Sequence, residues 1–444
     1  MQNQQVPITF GNADQMWEWI DTFLPDGPQW YHEDIALPEA PKETQILFYC
    51  DPIECLQFLA QNPAFDGHMT YQPVKYFTDS EHKNRVYSEI CSGDAWNYYQ
   101  SIINSGETVN LAILGSDATH VTNFSGDGKV HPVYISTAQI HGSIRSEPSR
   151  QAFLLLCYIP VCKFNMTEFS HSTKQDKMPG RLQARLFHKC MSHVLQTLKH
   201  AGSRAVPMVD FQGNQWLHRV FLDCWIADKE EQNIIACLGS KSCTVCEAET
   251  HDLPLAEPCP IRTGKGILQK IRSVCTRNPD FNTWKFISEC IKVQLSGVEE
   301  PCWANLPYTD ICRVICNDTL HGLHKAFKDH TALWSINHIG NFEIDNRFRQ
   351  LPKTPGFRYF GSGISKINQW SGHEWKDLEH YFLPILYKSK QTVEAIRATR
   401  AELDFIYHAG WKTLSDEDLN HMRDFNAIYH QNKFSFLSTD KLPG

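Results

Sequence analysis

No stretch of this sequence holds the roughly 18 uncharged apolar residues that a membrane span requires. The N-terminus, Met1 to Gly11, is polar and lacks the apolar centre of a signal peptide. A soluble, intracellular protein with no membrane partner is expected. There is no low-complexity tract, no G-x-x-x-x-G-K-[ST] loop, no G-x-S-x-G elbow and no His-Glu-x-x-His. These absences argue against a P-loop ATPase, a serine hydrolase and a zinc protease. Positive charge is also short: 42 Lys and Arg stand against 50 Asp and Glu, a net charge of −8. That argues against a protein that coats nucleic acid through bulk positive potential.

What is present is apolar and aromatic. Hydrophobic residues make up 42% of the 444, with 12 Trp, 15 Tyr and 25 Phe, enough for one large core with an insertion or for two domains. Most of the 16 cysteines lie in apolar runs such as Leu154-Leu155-Leu156-Cys157-Tyr158 and read as reduced core residues.

Pro25, Pro28, Pro38 and Pro41 break the first forty residues into short pieces, which predicts a loosely packed arm. Asp51-Pro52 then opens a short helix to Leu59, and Ser80 to Ser101 reads as a longer one. Val109 to Leu114 is an apolar run suited to a strand buried on both faces, and it stops at Ser116-Asp117. Pro132 to Ile140 and Ala152 to Val161 read as further strands, with antiparallel pairing of the three. Leu182, Leu186, Cys190, Val194 and Leu198 mark one face of a helix at spacing four. Val206 to Phe211, Val220 to Ala227 and Ile234 to Leu238 complete the strand set, the second stopping at Asp228.

Three strands, a helix and more strands, with an aspartate closing the first and another closing a later one, is the layout of an RNase H-like α/β core. The expected organisation is an N-terminal helical arm over 1–105, the first part of the core over 106–238, an insertion over 239–360 that is mostly helical or irregular, and C-terminal helices over 361–444 that complete the core. A two-metal phosphoryl-transfer site needs carboxylates converging from different elements. Asp117 and Asp228 suit it, each a hard oxygen donor at the end of a buried strand.

Cys243-Thr-Val-Cys246 has zinc-ligand spacing, but no second Cys-x-x-Cys follows. His321 and His324, which share one side of a helix with Asp318, are candidate partners; His251 and Cys259 are nearer in sequence. A closed site of Cys243, Cys246, His321 and His324 is expected to hold a structural Zn2+ and join the two ends of the insertion. From Lys174 to Arg204 there are seven Lys and Arg against one acid, Asp176. With the apolar stripe of that helix on the sheet, Arg181, Arg185 and Lys189 are expected at solvent, facing DNA. A second basic stretch holds Arg347, Arg349, Lys353, Arg358 and Lys366.

Read as strings, several blocks resemble the Plavaka transposases of fungi, a branch of the CACTA group. They are Ser116-Asp117-Ala118-Thr119-His120 with Asn123-Phe124-Ser125-Gly126, His131-Pro132-Val133-Tyr134, Ile144-Arg145-Ser146-Glu147-Pro148-Ser149 and Ala227-Asp228-Lys229-Glu230-Glu231-Gln232. They continue through Cys243-Thr-Val-Cys246, Asn317-Asp318-Thr-Leu-His321-Gly-Leu-His324-Lys325, Lys328-Asp329-His330, Asp345-Asn-Arg347-Phe348 and Gln369-Trp370-Ser371-Gly372-His373-Glu374-Trp375-Lys376. The resemblance implies a DDE-type DNA transposase that cuts and joins DNA with Mg2+ or Mn2+, acts as a homo-oligomer on DNA ends and works in the nucleus. It puts the first two catalytic acids on Asp117 and Asp228 and the third on Glu374, with Glu379 and Asp377 as near alternatives. It also matches the family's Cys-x-x-Cys and Asp/Cys-x-x-His with Cys243, Cys246, Asp318 and His321.

Two departures stand out. Asp228-Lys229-Glu230-Glu231-Gln232 replaces the family's Asp-Tyr-Pro-Glu-Gln, and the N-terminal zinc-finger segment and C-terminal extension of relatives are missing. The second departure raises the expectation of a fragment, a decayed copy or a host-retained, catalytically inactive DNA-binding or interaction protein.

Overall fold

A computed structural model of the chain describes residues 10–23, 27–120, 128–167, 178–249, 251–252, 255–281 and 283–436. The Asn123 to Gly126 block and Lys174, Asp176 and Lys177 lie outside them.

One mixed sheet organises the protein. Its strands are β1 (Trp30–Leu37), β2 (Ala40–Cys50), β3 (Glu107–Ser116), β4 (Lys129–Thr137), β5 (Leu154–Ile159), β6 (Val206–Val209) and β7 (Gln215–Ile226), in the order β1-β2-β5-β4-β3-β7-β6. The β5-β4-β3 pairings are antiparallel, as the sequence pattern predicts, whereas β7 runs parallel to β3. Alternate residues of β3 enter different cores: Ala112 and Leu114 join the larger apolar cluster, and Val109, Leu111 and Ile113 join one with Trp96, Tyr99 and Phe221. This two-sided burial explains the unbroken apolar run.

Helix α1 (Pro52–Ala60) begins as expected, with the Asp51 side chain accepting from the Ile53 and Glu54 N–H groups. The segment before it is no loose arm. Residues 30–50 form the β1-β2 hairpin, which pairs with β5, and Pro38 lies in its tight turn. Ser80 to Ser101 is α-helical only from Asp94, after a single 3-10 turn over Ile90–Ser92. Ile234 to Leu238 is also not a strand. Asp228 caps helix α4 (Lys229–Ile235), accepting from the Glu231 N–H, and the cap commits that apolar run to a helix. Between these come α2 (Met178–Val194) and α3 (Gln196–Ser203), whose Leu182, Leu186, Cys190, Val194 and Leu198 enter the sheet core.

The stretch expected as one insertion contributes to two cores. Helices α5 (Gly264–Arg277) and α6 (Trp284–Lys292), with Ile311 to Ile315, pack into the sheet core. Phe327, Ile344 and Phe348 pack instead with Leu378, Phe382, Leu403 and Ile406, on α7 (Gly372–Ile385) and α8 (Val393–Ala409). At the junction Ile315 makes a parallel bridge to Trp225, and the Cys316 N–H donates to the Trp225 carbonyl, so the chain touches β7 before entering the second core. Among the described residues no helix is long and apolar enough to cross a membrane.

Candidate active site

The site grows from the carboxyl ends of β3 and β7, where open α/β sheets bind ligands. Gly115 stands opposite Ile226 in the parallel register. Two residues beyond that pair, just past the ends of the two strands, come Asp117 and Asp228. Their proximity is felt electrostatically: desolvation raises the Asp117 carboxyl above its ordinary range, the Asp228 and Glu231 carboxylates raise it further, and His131 and His321 oppose them. Asp228 has a second task as the α4 cap, its Oδ1 accepting from the Glu231 N–H at 2.8 Å.

Beneath the pair lies a buried polar chain. The Trp225 Nε1–H donates to Ser116 Oγ at 3.1 Å, the Ser116 hydroxyl donates to Glu231 Oε1 at 2.7 Å, and His131 Nε2 meets the same oxygen at 2.7 Å. Glu231 and His131 are only 5% and 6% exposed, so this side chain is fixed in place beneath the pair. Glu231 and His131 thus belong to the site although neither ends a strand or stands at a metal-ligand spacing. The spacing Asp228-x-x-Glu231 was a signal, since an acid three residues after a cap often closes a capping box. Here the Glu231 carboxylate turns to Ser116 and His131.

Across from the pair, a helical run enters through π-type turns over Leu320–Lys325 and Lys328–Ala332, a distortion frequent at functional sites. His321 Nδ1 lies 2.6 Å from Asp318 Oδ2, and His324 Nδ1 lies 2.9 Å from Glu379 Oε1. Each imidazole is thus oriented by a carboxylate through one ring nitrogen, leaving Nε2 to face outward chemistry. A cleft of about 760 Å3 is lined by Lys229, Cys243, Asp318, His321 and His330.

The two cysteines of Cys243-x-x-Cys246 are neighbours. Burial works against the Cys243 thiolate, but the Cys246 and Val245 N–H groups, the Cys246 thiol and the Lys229 ammonium outweigh it, and the thiol falls below its usual value. Cys243 and His321 share the cleft, yet among the described residues no group of three or more His, Cys, Asp or Glu side chains is arranged to hold a metal ion. His324 is directed to Glu379.

The candidate third acids separate. Glu374 closes the capping box of α7 with Ser371 and pairs with Arg358, whereas Asp377 accepts from the Arg358 N–H at 3.1 Å. Glu379, 2% exposed, is the one bound to the histidine helix.

The expectation that Arg181 and Arg185 lie at solvent requires correction. Arg185 is 3% exposed, with Nε donating to the Gly297 carbonyl at 3.1 Å, NH2 to the Phe281 carbonyl at 3.0 Å and NH1 to Glu39 at 2.5 Å. Arg181 donates to the Ser296 carbonyl. Lys189 remains exposed, its Nζ donating to the Ala36 carbonyl at 2.7 Å. The 296–299 segment packs on this helix, so its arginines serve as interior donors.

Fold and site together define an α/β protein with paired carboxylates at the ends of adjacent parallel strands and a histidine helix facing them. The Plavaka transposase family model matches residues 10–335, most of the chain, and the chain belongs to the Plavaka transposase family. Comparison with curated proteins gives no match.

Proposed function

We propose that this chain is the catalytic body of a DDE-type DNA transposase, built on an RNase H-like core, that cleaves DNA at element ends and joins the freed 3′-hydroxyl to a target. The observation that carries the reading is the pairing of Asp117 and Asp228 at the ends of adjacent parallel strands, each in the other's field. The order β5-β4-β3-β7, three antiparallel strands followed by a parallel one, supports the core, and family membership supports the activity.

Asp117 and Asp228 are hard oxygen donors, and the Asp117 carboxyl is raised first by burial and then by the Asp228 and Glu231 carboxylates; a donor pair with added negative charge beside it fits a divalent cation such as Mg2+. When bound there, such an ion would polarise the phosphate and lower the pKa of an attacking hydroxyl. The chain's own residues do the rest. Ser116 and His131 hold the Glu231 carboxylate rigid behind the pair. His321, oriented by Asp318, offers Nε2 to take or give a proton at the mouth of the site. Glu379 becomes the preferred third acid, because Glu374 is already engaged with Arg358 and its cap.

A second reading, a catalytically silent relative that binds DNA, is favoured by one observation: among the described residues no group of three or more His, Cys, Asp or Glu side chains is arranged to hold a metal ion. A Mg2+- or Mn2+-dependent nicking assay on DNA carrying the element's ends separates the two. Under the first reading the full chain nicks and Asp117→Asn does not. Equal nicking by both would overturn the assignment, and no nicking by either favours the silent relative.

A further inference from the structure

The second basic stretch is arranged as an outward-facing cationic surface. Between Asp345 and Glu374 the sequence has Arg347, Arg349, Lys353, Arg358 and Lys366 and no acid. The acids that flank it are turned inward. Asp345, 6% exposed, accepts from the Ile364 and Ser365 N–H groups at 2.8 and 3.0 Å and from the Ser365 hydroxyl at 2.6 Å. Glu374 is held by Arg358 and its capping box, and Asp377 by the Arg358 N–H. Arg347 is also internal, donating to the carbonyls of Ile385, Tyr387 and Lys388.

What remains at solvent is Arg349, Lys353 and Lys366, with Lys376 on the adjoining helix. Lys353 Nζ sits 5.2 Å from the centre of the Tyr359 ring, and Phe357 and Tyr359 are 37% and 40% exposed among these cations. The loop is held in shape before any partner arrives. Tyr359 Oη donates to the Arg349 carbonyl at 3.2 Å, and the Phe357 ring meets His380 edge-on at 4.8 Å. At Gly363 the backbone has φ +81, and an added Cβ would collide with Asp345, so only glycine permits this path.

We infer that this surface grips the phosphodiester backbone of duplex DNA, beside the helix that carries Glu379, and this rests on the transposase reading. Exposed cations that form no salt bridge among the described residues, interleaved with exposed aromatics on a pinned loop, provide charge complementarity to phosphate at small ordering cost. The net charge of −8 makes the patch stand out in an otherwise repulsive field.

The test uses the full chain and a duplex of about 30 base pairs, titrated across salt concentrations. Two charge-matched variants are compared: Arg349→Gln, Lys353→Gln, Lys366→Gln in the loop, and Lys265→Gln, Arg272→Gln, Lys285→Gln on the exposed faces of α5 and α6. The loop variant is expected to bind on the order of 100-fold more weakly at about 0.1 M salt and to lower the slope of log K against log salt by up to about three. The control should follow the unaltered chain. Equal losses in both variants, or none in the loop variant, would overturn the inference. Nicking of element ends by the unaltered chain, scored in parallel, keeps the two readings apart. Nicking without a loop effect removes the surface and keeps the enzyme, a loop effect without nicking does the reverse, and no binding by the unaltered chain removes both.

Discussion

Lys174 to Arg204 and Asn346 to His373 have similar basic composition, yet they place that charge in opposite directions. In the first, Arg185 and Arg181 enter the space between α2 and the 296–299 segment, where carbonyls and the carboxylates of Glu39 and Glu299 receive them. In the second, which has no acid of its own, Arg347 turns inward to backbone carbonyls while Arg349, Lys353 and Lys366 remain outside. The difference lies in what packs on each stretch. A neighbouring segment rich in free carbonyls draws guanidinium groups inward, since a planar group with five donors can satisfy several acceptors at once. The loop broken by Pro352 and Pro355 keeps Lys353 and Lys366 at the surface, whereas Arg347, on the helix before it, still reaches the carbonyls of Ile385, Tyr387 and Lys388.

The largest consequence falls on Arg185. Arg185→Ala is expected to cost about 3–5 kcal/mol, because it leaves Glu39 and Glu299 facing a buried site with no counter-charge. Urea denaturation measures this, and a loss below about 1 kcal/mol would break the comparison. Arg185→Met combined with Glu39→Gln and Glu299→Gln should recover most of the loss, since a neutral set of similar volume carries no stranded ion.

The same packing explains what the sequence made legible. Strands β3, β4, β5 and β7, the Asp51 cap and the strand-end positions of Asp117 and Asp228 follow from local period and capping chemistry, which short windows contain. The β1-β2 hairpin was hidden by its prolines, because Pro38 marks a turn between strands as readily as the absence of strands. The inward path of Arg185 depends on a segment over a hundred residues away. No periodicity within α2 reports it. Glu379 illustrates the same limit: its partner His324 lies 55 positions away, so a helix-start acid, Glu374, looked better placed.

A half-buried acid with no salt bridge among the described residues sharpens the comparison. Burial raises Glu402 to about 7, against the help of a hydrogen bond from Thr331 and with Glu379 adding repulsion. For a raised carboxyl the sign is fixed: its contribution is fully present below the ordinary value near 4.5 and is lost as pH climbs through about 7. Glu402→Gln, which keeps an acceptor for Thr331, should therefore stabilise the protein at pH 8 by roughly 3 kcal/mol and do little at pH 4. Thermal unfolding at both pH values decides it. An unchanged difference between variant and parent across that range would mean that Glu402 is charged in the interior and that burial does not demand a partner here.

The smallest expected effect belongs to Lys189, the one member of the α2 trio left exposed. Its bond to the Ala36 carbonyl is at the surface, so Lys189→Gln should change stability by no more than about 0.5 kcal/mol. That small cost makes it informative. Replacing Arg181, Arg185 and Lys189 together confounds DNA affinity with folding, because Arg185 is structural, whereas Lys189→Gln alone leaves the fold intact and tests only whether this face meets phosphate. If the DNA surface lies on the 349–366 loop, the salt dependence of duplex binding stays that of the parent chain. A slope smaller by about 0.9, the signature of one lost phosphate contact, would return α2 to the DNA surface and show that the two basic stretches differ less than their burial implies.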